Sequence, residues 1–273
     1  MNIEPAIDCH AHIIDPERFA FVRGAGYTPQ PHETGLRESF IALLDRHGVR
    51  HVLLVQPSCY AFDNSAMLDA IAKSPDRFKG IAVVNADIAD KEIRRMAELG
   101  VVGIRFNLVT FDRGMLQGSG SSRLLARLKE CGWFAQIYAD DDQWTELAPV
   151  LERSGVKLLI DHFGVRDARH GTASPGFEAV LALGRSGNAV VKLSAPFRIA
   201  LQSDGYAQLD AHVEALLQAF GIAHCVWGSD WPFLGIEHRP DYGTLRDPLC
   251  RWLPDARQRA QVLWDNPARL FGW

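Results

Sequence analysis

The chain has 273 residues, 47% of them hydrophobic and 23% charged, with a formal net charge of −4. That composition can bury a sizeable core and excludes a disordered chain. The mild negative charge, with no Lys/Arg stripe, gives no footprint for nucleic acid.

The longest apolar runs, such as HVLLVQ and VKLLI, are strand-sized, so no membrane span is expected. The N-terminal MNIEPAID is neither basic nor a long apolar stretch, and no signal peptide is read there. Cys9, Cys59, Cys131, Cys225 and Cys250 are odd in number and form no C-x-x-C pair, which fits free thiols in a reducing compartment. A cytoplasmic protein is the expectation.

Short Val- and Ile-rich runs alternate with stretches of helical period. The first predicted strand, Ala6–His10, opens the segment AIDCHAHIID, where Asp8, His10 and His12 share the two-residue parity of one strand face. On that parity Asp8, His10 and His12 point inward, while Ile7, Cys9 and Ala11 face the helices. A long Gly- and Pro-rich segment, PERFAFVRGAGYTPQPHETG, follows, and then the amphipathic LRESFIALLDRHG. The next strands are His51–Gln56, Gly80–Asn85 and Val101–Asn107, with KEIRRMAELG between the last two. SRLLARLKECG leads to Trp133–Tyr138, and WTELAPVLERSG to Lys157–Asp161. Ala189–Ser194 and Cys225–Ser229 complete the set, and a second long segment, WPFLGIEHRPDYGTLRDP, comes after them. Several helical stretches end on Gly, suited to the left-handed conformation just past a helix.

Eight strand–helix units with no linker between them predict one α/β domain over residues 1–273, closed as a (β/α)8 TIM barrel. A doubly wound open sheet is the rival, but no G-x-G-x-x-G follows the first strand. In a barrel, functional groups gather at the C-terminal ends of strands, and the two long segments, after strands 1 and 8, are placed there as lids.

The polar residues at those ends are His10, His12, His162 in LLIDHFG and Asp230 in CVWGSDWPF. Each has a bland reading alone, as a structural histidine, a loop cap or a turn aspartate. Together they make a candidate site. Neutral imidazoles can ligate a divalent metal, and the aromatic surroundings of Asp230 would raise its pKa and suit it to proton transfer. Arg105, on the parity of Gly103 and Asn107, is costly to bury unless paired, and its planar fork suits a substrate carboxylate. The competing reading is an internal salt bridge to a loop aspartate. Lys192 is read as a lysine low in the barrel that pairs with Asp or Glu, and Trp227 as core.

The combination DCHAHI, LVQPS, GIRFN, IDHFG, KLSAPFRI, WGSDWP and NPARLFGW runs nearly end to end. With it the chain resembles the amidohydrolase superfamily, most closely the subgroup of 2-pyrone-4,6-dicarboxylate hydrolase-like lactonases. The resemblance implies a (β/α)8 barrel with His10, His12, His162 and Asp230 in the active site. It implies Arg198 as a residue that holds an anionic substrate, and Tyr27, Ser58 and Tyr138 as hydroxyl donors, with Asn107 also on the substrate side.

One departure stands out. Metal-dependent members carry a His or a carboxylated Lys on the fifth strand, where this chain has Gln136 and Tyr138. That leaves either one divalent ion, Zn²⁺ foremost, held by His10, His12, His162 and Asp230, or hydrolysis with no required cofactor, which is the lean. The expected partner is a small anionic lactone, opened by Asp230-activated water. A metal-dependent decarboxylase of the same superfamily and a non-catalytic binding barrel are the alternatives.

Overall fold

A computed structural model describes residues 4–111, 116 and 118–273; Met1–Ile3 of the N-terminal segment read above lie outside them. The strands are β1 Ala6–Ala11, β2 Val49–Val55, β3 Phe78–Ala82 and β4 Val101–Asn107, then β5 Phe134–Tyr138, β6 Lys157–Ile160, β7 Ala189–Ser194 and β8 Cys225–Gly228. All adjacent pairs are parallel and the sheet order is the chain order. The connecting helices are α1 Arg37–Arg46, α2 Ser65–Lys73, α3 Asp90–Glu98, α4 Ser119–Glu130, α5 Asp141–Ser154, α6 Pro175–Arg185 and α7 Asp210–Phe220. Three shorter ones follow β8: α8 Asp247–Trp252, α9 Ala256–Ala260 and α10 Asn266–Phe271. This is the (β/α)8 barrel that the alternation predicts. Among the described residues no helix is long and apolar enough to cross a membrane.

Two packing layers follow from strand parity. Residues such as Leu54, Ile104, Ile137, Ile160 and Val191 face out and pack with the helices. Leu53, Val55, Leu159, Val190 and Val226 face in, and Phe271 plugs the end where the strands start, its ring 5.2 Å from that of Phe134. Trp227 is buried in the outer layer, as expected, with its indole N–H donated to Leu245 O at 3.3 Å.

Strand β1 departs from the expected parity. Ile7 and Cys9 belong to the inner cluster and Ala11 to the outer one, and the β1–β2 register slips between Asp8 and Ala11. A bulge there inverts the side-chain alternation. Asp8 therefore does not join His10 inside; it accepts from the Tyr242 hydroxyl at 3.0 Å and from the backbone N–H groups of Ser229 (2.8 Å) and His10 (3.1 Å). Burial pushes its pKa up to about 6. Asp8 thus staples the seam where β8 meets β1, which otherwise closes at the mouth through Asp230 N to His10 O (2.7 Å) and His12 N to Trp231 O (2.8 Å).

Strand β3 ends at Ala82 rather than Asn85. Val83 and Val84 stay buried, but the Asn64 side chain takes the place of a neighbouring strand, accepting from Val83 N and donating to Val83 O. A buried apolar run can thus continue beyond the ladder that it resembles.

Candidate active site

The sequence places its chemistry at the strand ends, and the fold collects it. His10 lies in β1 and His12 just beyond; Arg105 and Asn107 lie in β4, Tyr138 closes β5, and Asp161 and His162 follow β6. Asp230 stands two residues after β8. Gly228 makes room for His10, because a Cβ there would lie 2.8 Å from the Cβ and backbone N of that histidine. His162, Phe163 and Asp230 have φ of 49°, 59° and 63°. Such left-handed non-glycine residues cost about 1–3 kcal/mol each and persist where the surroundings over-determine them. Here the Asp230 N–H is held by His10 O, and Gly164 N donates to Asp161 O at 3.0 Å.

Three imidazoles turn their Nε2 atoms toward one carboxylate oxygen. Asp230 Oδ1 lies 3.5 Å from His10, 3.4 Å from His12 and 3.8 Å from His162. Each ring is anchored through Nδ1: His12 to Val55 O at 2.7 Å, His162 to Ser194 Oγ at 2.9 Å, and His10 to Lys192 Nζ at 3.2 Å. Asp230 Oδ2 accepts from Arg198 Nε, and Arg198 Nη2 donates to Leu234 O at 2.9 Å.

The pKa of Asp230 moves opposite to the sequence expectation. Burial does push it up, but the Arg198 guanidinium and the surrounding imidazoles outweigh burial and hold it well below the usual carboxylate range. Asp230 is a carboxylate at neutral pH. Burial lowers His162 to about 4, with Arg198 and Arg105 adding to the effect against the pull of Asp230 and Asp161.

Beneath this layer lies a second ionic cluster. Arg105 meets Asp161 Oδ2 through Nε and Nη2, both at 3.3 Å. Lys192 lies 3.2 Å from Asp161 Oδ1 and donates to Gln136 Oε1 at 2.8 Å, while Gln136 Nε2 donates to Asp161 Oδ2 at 3.0 Å. The internal salt bridge weighed for Arg105 is therefore present, with a strand-end aspartate in place of a loop one, and Lys192 finds the acidic partner expected of it. Asp161 and Gln136 join the site through these contacts rather than through any motif of their own. The signal for Asp161 was its place beside His162 in IDHFG.

A cavity of about 240 Å³ opens over the site, lined by His12, Tyr27, Ser58, Arg105, Asn107, Tyr138, His162, Arg198 and Asp230, and also by Arg166 and Gly235, which no motif marks. Every candidate residue except His10 reaches this lining; His10 is fully buried below it. Arg105 and Arg166 sit over the Tyr138 ring at 5.4 and 4.8 Å. Asn107 Oδ1 accepts from Thr110 N at 3.0 Å.

The two long loops do reach the mouth, where Tyr27 comes from the first and Leu234 and Gly235 from the second. Buried Glu33 joins them, accepting from the Tyr27 hydroxyl (2.5 Å), Gln30 N (2.6 Å) and Gly235 N (2.5 Å). The Tyr27 proton is thus spent on Glu33 rather than offered to the cavity.

By distance, His10, His12 and Asp230 could hold a metal ion, and so could His10, Asp161 and His162. Hydrogen-bond polarity divides the set. A ligating histidine donates through one ring nitrogen and presents a lone pair at the other. His12 meets that requirement through Val55 O, whereas His10 faces the ammonium of Lys192. The spacing fits one ion, and His10 Nδ1 has both the Asp161 carboxylate, which suits a ligating ring, and the Lys192 ammonium, which opposes it, at 3.2 Å.

The chain is similar to known proteins over nearly its whole length. The chain is 28% identical to a 2-pyrone-4,6-dicarboxylate hydrolase of Comamonas testosteroni, over 97% of this chain and 90% of that protein. It is 29% identical to a 4-sulfomuconolactone hydrolase of Rhizobium radiobacter, over 98% and 90%. A crystal structure described as a probable 2-pyrone-4,6-dicarboxylic acid hydrolase from Acinetobacter baumannii, with citric acid bound, superposes with a TM-score of 0.89 at 29% identity, covering 98% of this chain and 99% of that one. The amidohydrolase family model matches residues 7–273. With its histidines and aspartate gathered at the strand ends of a (β/α)8 barrel, this chain belongs to the amidohydrolase family of enzymes.

Proposed function

We propose that the enzyme hydrolyses a small lactone carrying at least one carboxylate. The observation that carries this reading is Asp230, an ionised carboxylate at the floor of the cavity, with three imidazole Nε2 atoms around one oxygen and Arg198 on the other. The names of the relatives, a pyrone-dicarboxylate hydrolase and a sulfomuconolactone hydrolase, support an acidic lactone. So does the bound citric acid, an organic polyacid, in the related structure.

The cavity wall offers cationic groups as well, since Arg105, Arg166 and Arg198 line it.

In the proposed reaction the arginines at the cavity wall hold the substrate carboxylate and bring the lactone carbonyl within near-attack distance. Water bound against Asp230 gives it a proton as its oxygen adds to the carbonyl carbon. His12, whose Nε2 is a lone-pair acceptor, orients that water. His162, with Ser194 at its Nδ1, stabilises the oxyanion together with the guanidinium groups. The ring C–O bond then breaks, and Asp230 returns the proton to the departing ring oxygen. A metal held by His10, His12, His162 and Asp230 would supply Lewis-acid polarisation of the carbonyl; the steps above need none. Gln136, turned toward Lys192 and Asp161, is not offered as a ligand, and this counts against a metal-dependent decarboxylase.

A panel of carboxylated lactones of pyrone, muconolactone and sugar-acid types, followed by ring-opening absorbance and acid release, tests the reading. Ring opening with stoichiometric acid is expected for one class. Conversion without acid release would replace hydrolysis with isomerisation, and no turnover at all would favour a binding protein.

Two further outcomes follow. The acid limb of kcat/KM should lie near pH 4, because an imidazolium at His162 beside Asp230 weakens the base, and the profile should be flat from about pH 5.5 to 8. A limb at about pH 6–7, the ordinary histidine range, would contradict the assignment. Exhaustive chelation should leave kcat within about twofold, and activity lost to chelator and restored by Zn²⁺ would reverse the metal-free reading.

A further inference from the structure

We propose that Lys192 fixes the tautomer of His10, making it a hydrogen-bond donor to Asp230 rather than a metal ligand, and so acts as a positioning residue for the base. The inference rests on the reading of Asp230 as that base. Its structural half stands without it.

An ammonium has three donors and no acceptor. Lys192 is fully buried, so each N–H must find an acceptor from within the barrel. Gln136 Oε1 takes one at 2.8 Å. That amide cannot be flipped at no cost, because its Nε2 donates to Asp161 Oδ2, an acceptor. His10 Nδ1 takes another at 3.2 Å. Asp161 Oδ1 lies 3.2 Å from both Lys192 Nζ and His10 Nδ1, as the charge partner of the ammonium and as the rival acceptor for an Nδ1 proton. Because the ammonium has only donors to offer, the proposal assigns Nδ1 of His10 as its acceptor and the ring proton to Nε2.

That Nε2 is buried, without a hydrogen-bond partner, and 3.5 Å from Asp230 Oδ1. A movement of about 0.3 Å brings it to hydrogen-bond distance. The relay then reads Lys192 Nζ–H to His10 Nδ1, and His10 Nε2–H to Asp230 Oδ1. His12 is the opposite: its Nδ1 faces the carbonyl of Val55, which can only accept, so its Nε2 carries a lone pair. The two histidines of the H-x-H pair thus present opposite polarity to the same carboxylate oxygen. A divalent ion needs a lone pair from each ligand, and His10 does not supply one while the ammonium is in place. Removing the ammonium would let an Nδ1–H turn to Asp161 Oδ1 and free Nε2 for a metal.

The test uses the full chain labelled with ¹⁵N-histidine, with the His10 ring signals assigned by their loss in His10→Gln. Long-range ¹H–¹⁵N correlation should show wild-type His10 protonated at Nε2, and Lys192→Met should move that proton to Nδ1. The same variant should bind Zn²⁺ at least about tenfold more tightly than wild type and lose about 10- to 100-fold in kcat, with KM little changed. A role confined to stability would move neither the tautomer nor the zinc affinity. Wild-type His10 protonated at Nδ1 overturns the proposal, and that spectrum decides it even where Lys192→Met does not fold. The spectral and zinc results do not depend on any substrate, so failure of the lactone reading leaves them interpretable.

Discussion

Asp230→Asn is expected to lower kcat by at least about two orders of magnitude, the ordinary share of a general acid–base group, while KM changes far less. The amide keeps the shape of the side chain, and Asn is among the residues that tolerate the left-handed φ of 63° at this position. The loop should therefore keep its course. Arg198 would lose its charged partner but keep Leu234 O, so the wall of the cavity should survive. What disappears is the ability to take a proton from water and return it to the ring oxygen. The variant's folding is checked by thermal unfolding and its turnover by steady-state kinetics on the lactone that the panel identifies. Near-normal kcat in a folded Asp230→Asn protein would remove Asp230 from the chemistry and leave the three imidazoles to account for catalysis.

The barrel was legible because its strands are buried on both faces and read as short apolar runs; β4 and β7 have the predicted bounds to the residue. The four metal- or acid-type residues were legible because each stands at the end of such a run. The parity of β1 was not. A bulge leaves no mark in a period-two pattern, and the partner that draws Asp8 outward, Tyr242, is 234 residues away.

The Lys192–Asp161–Gln136 cluster was hidden for a related reason. Gln136 lies in β5, Asp161 just past β6 and Lys192 in β7, at one level of the barrel that is set by the register, such as Arg105 opposite Gln136 across β4 and β5. No single segment shows it. Arg166 and Glu33 lie in loops crowded with other charges, where only the folded chain separates a residue at the cavity from one in solvent. The surroundings of His10 Nδ1 depend on that cluster, with Lys192 and Asp161 both 3.2 Å away, so the H-x-H spacing alone leaves open what the pair does.

Asp161→Asn should be the most destabilising single change in this site, costing about 3–5 kcal/mol, as expected when one partner of a buried ion pair is removed. Burial pushes the Asp161 carboxyl up, yet Lys192, His10 and Arg105 hold it well below the usual range. This one anion is shared by Lys192, which is fully buried, and Arg105, which is 5% exposed. An amide of the same shape fills the space but leaves both cations without their counter-charge inside the barrel, and its N–H₂ group faces donors where the carboxylate met them as an acceptor. Urea unfolding followed by tryptophan fluorescence should show the midpoint lowered with the slope unchanged, the pattern of lost stability without altered compactness. A loss below about 1 kcal/mol would mean that water or a rearranged neighbour satisfies the two cations. Replacing Lys192 and Asp161 together by apolar residues of similar volume should recover part of the loss, because the cost comes from an unpaired buried charge rather than from the absence of a salt bridge.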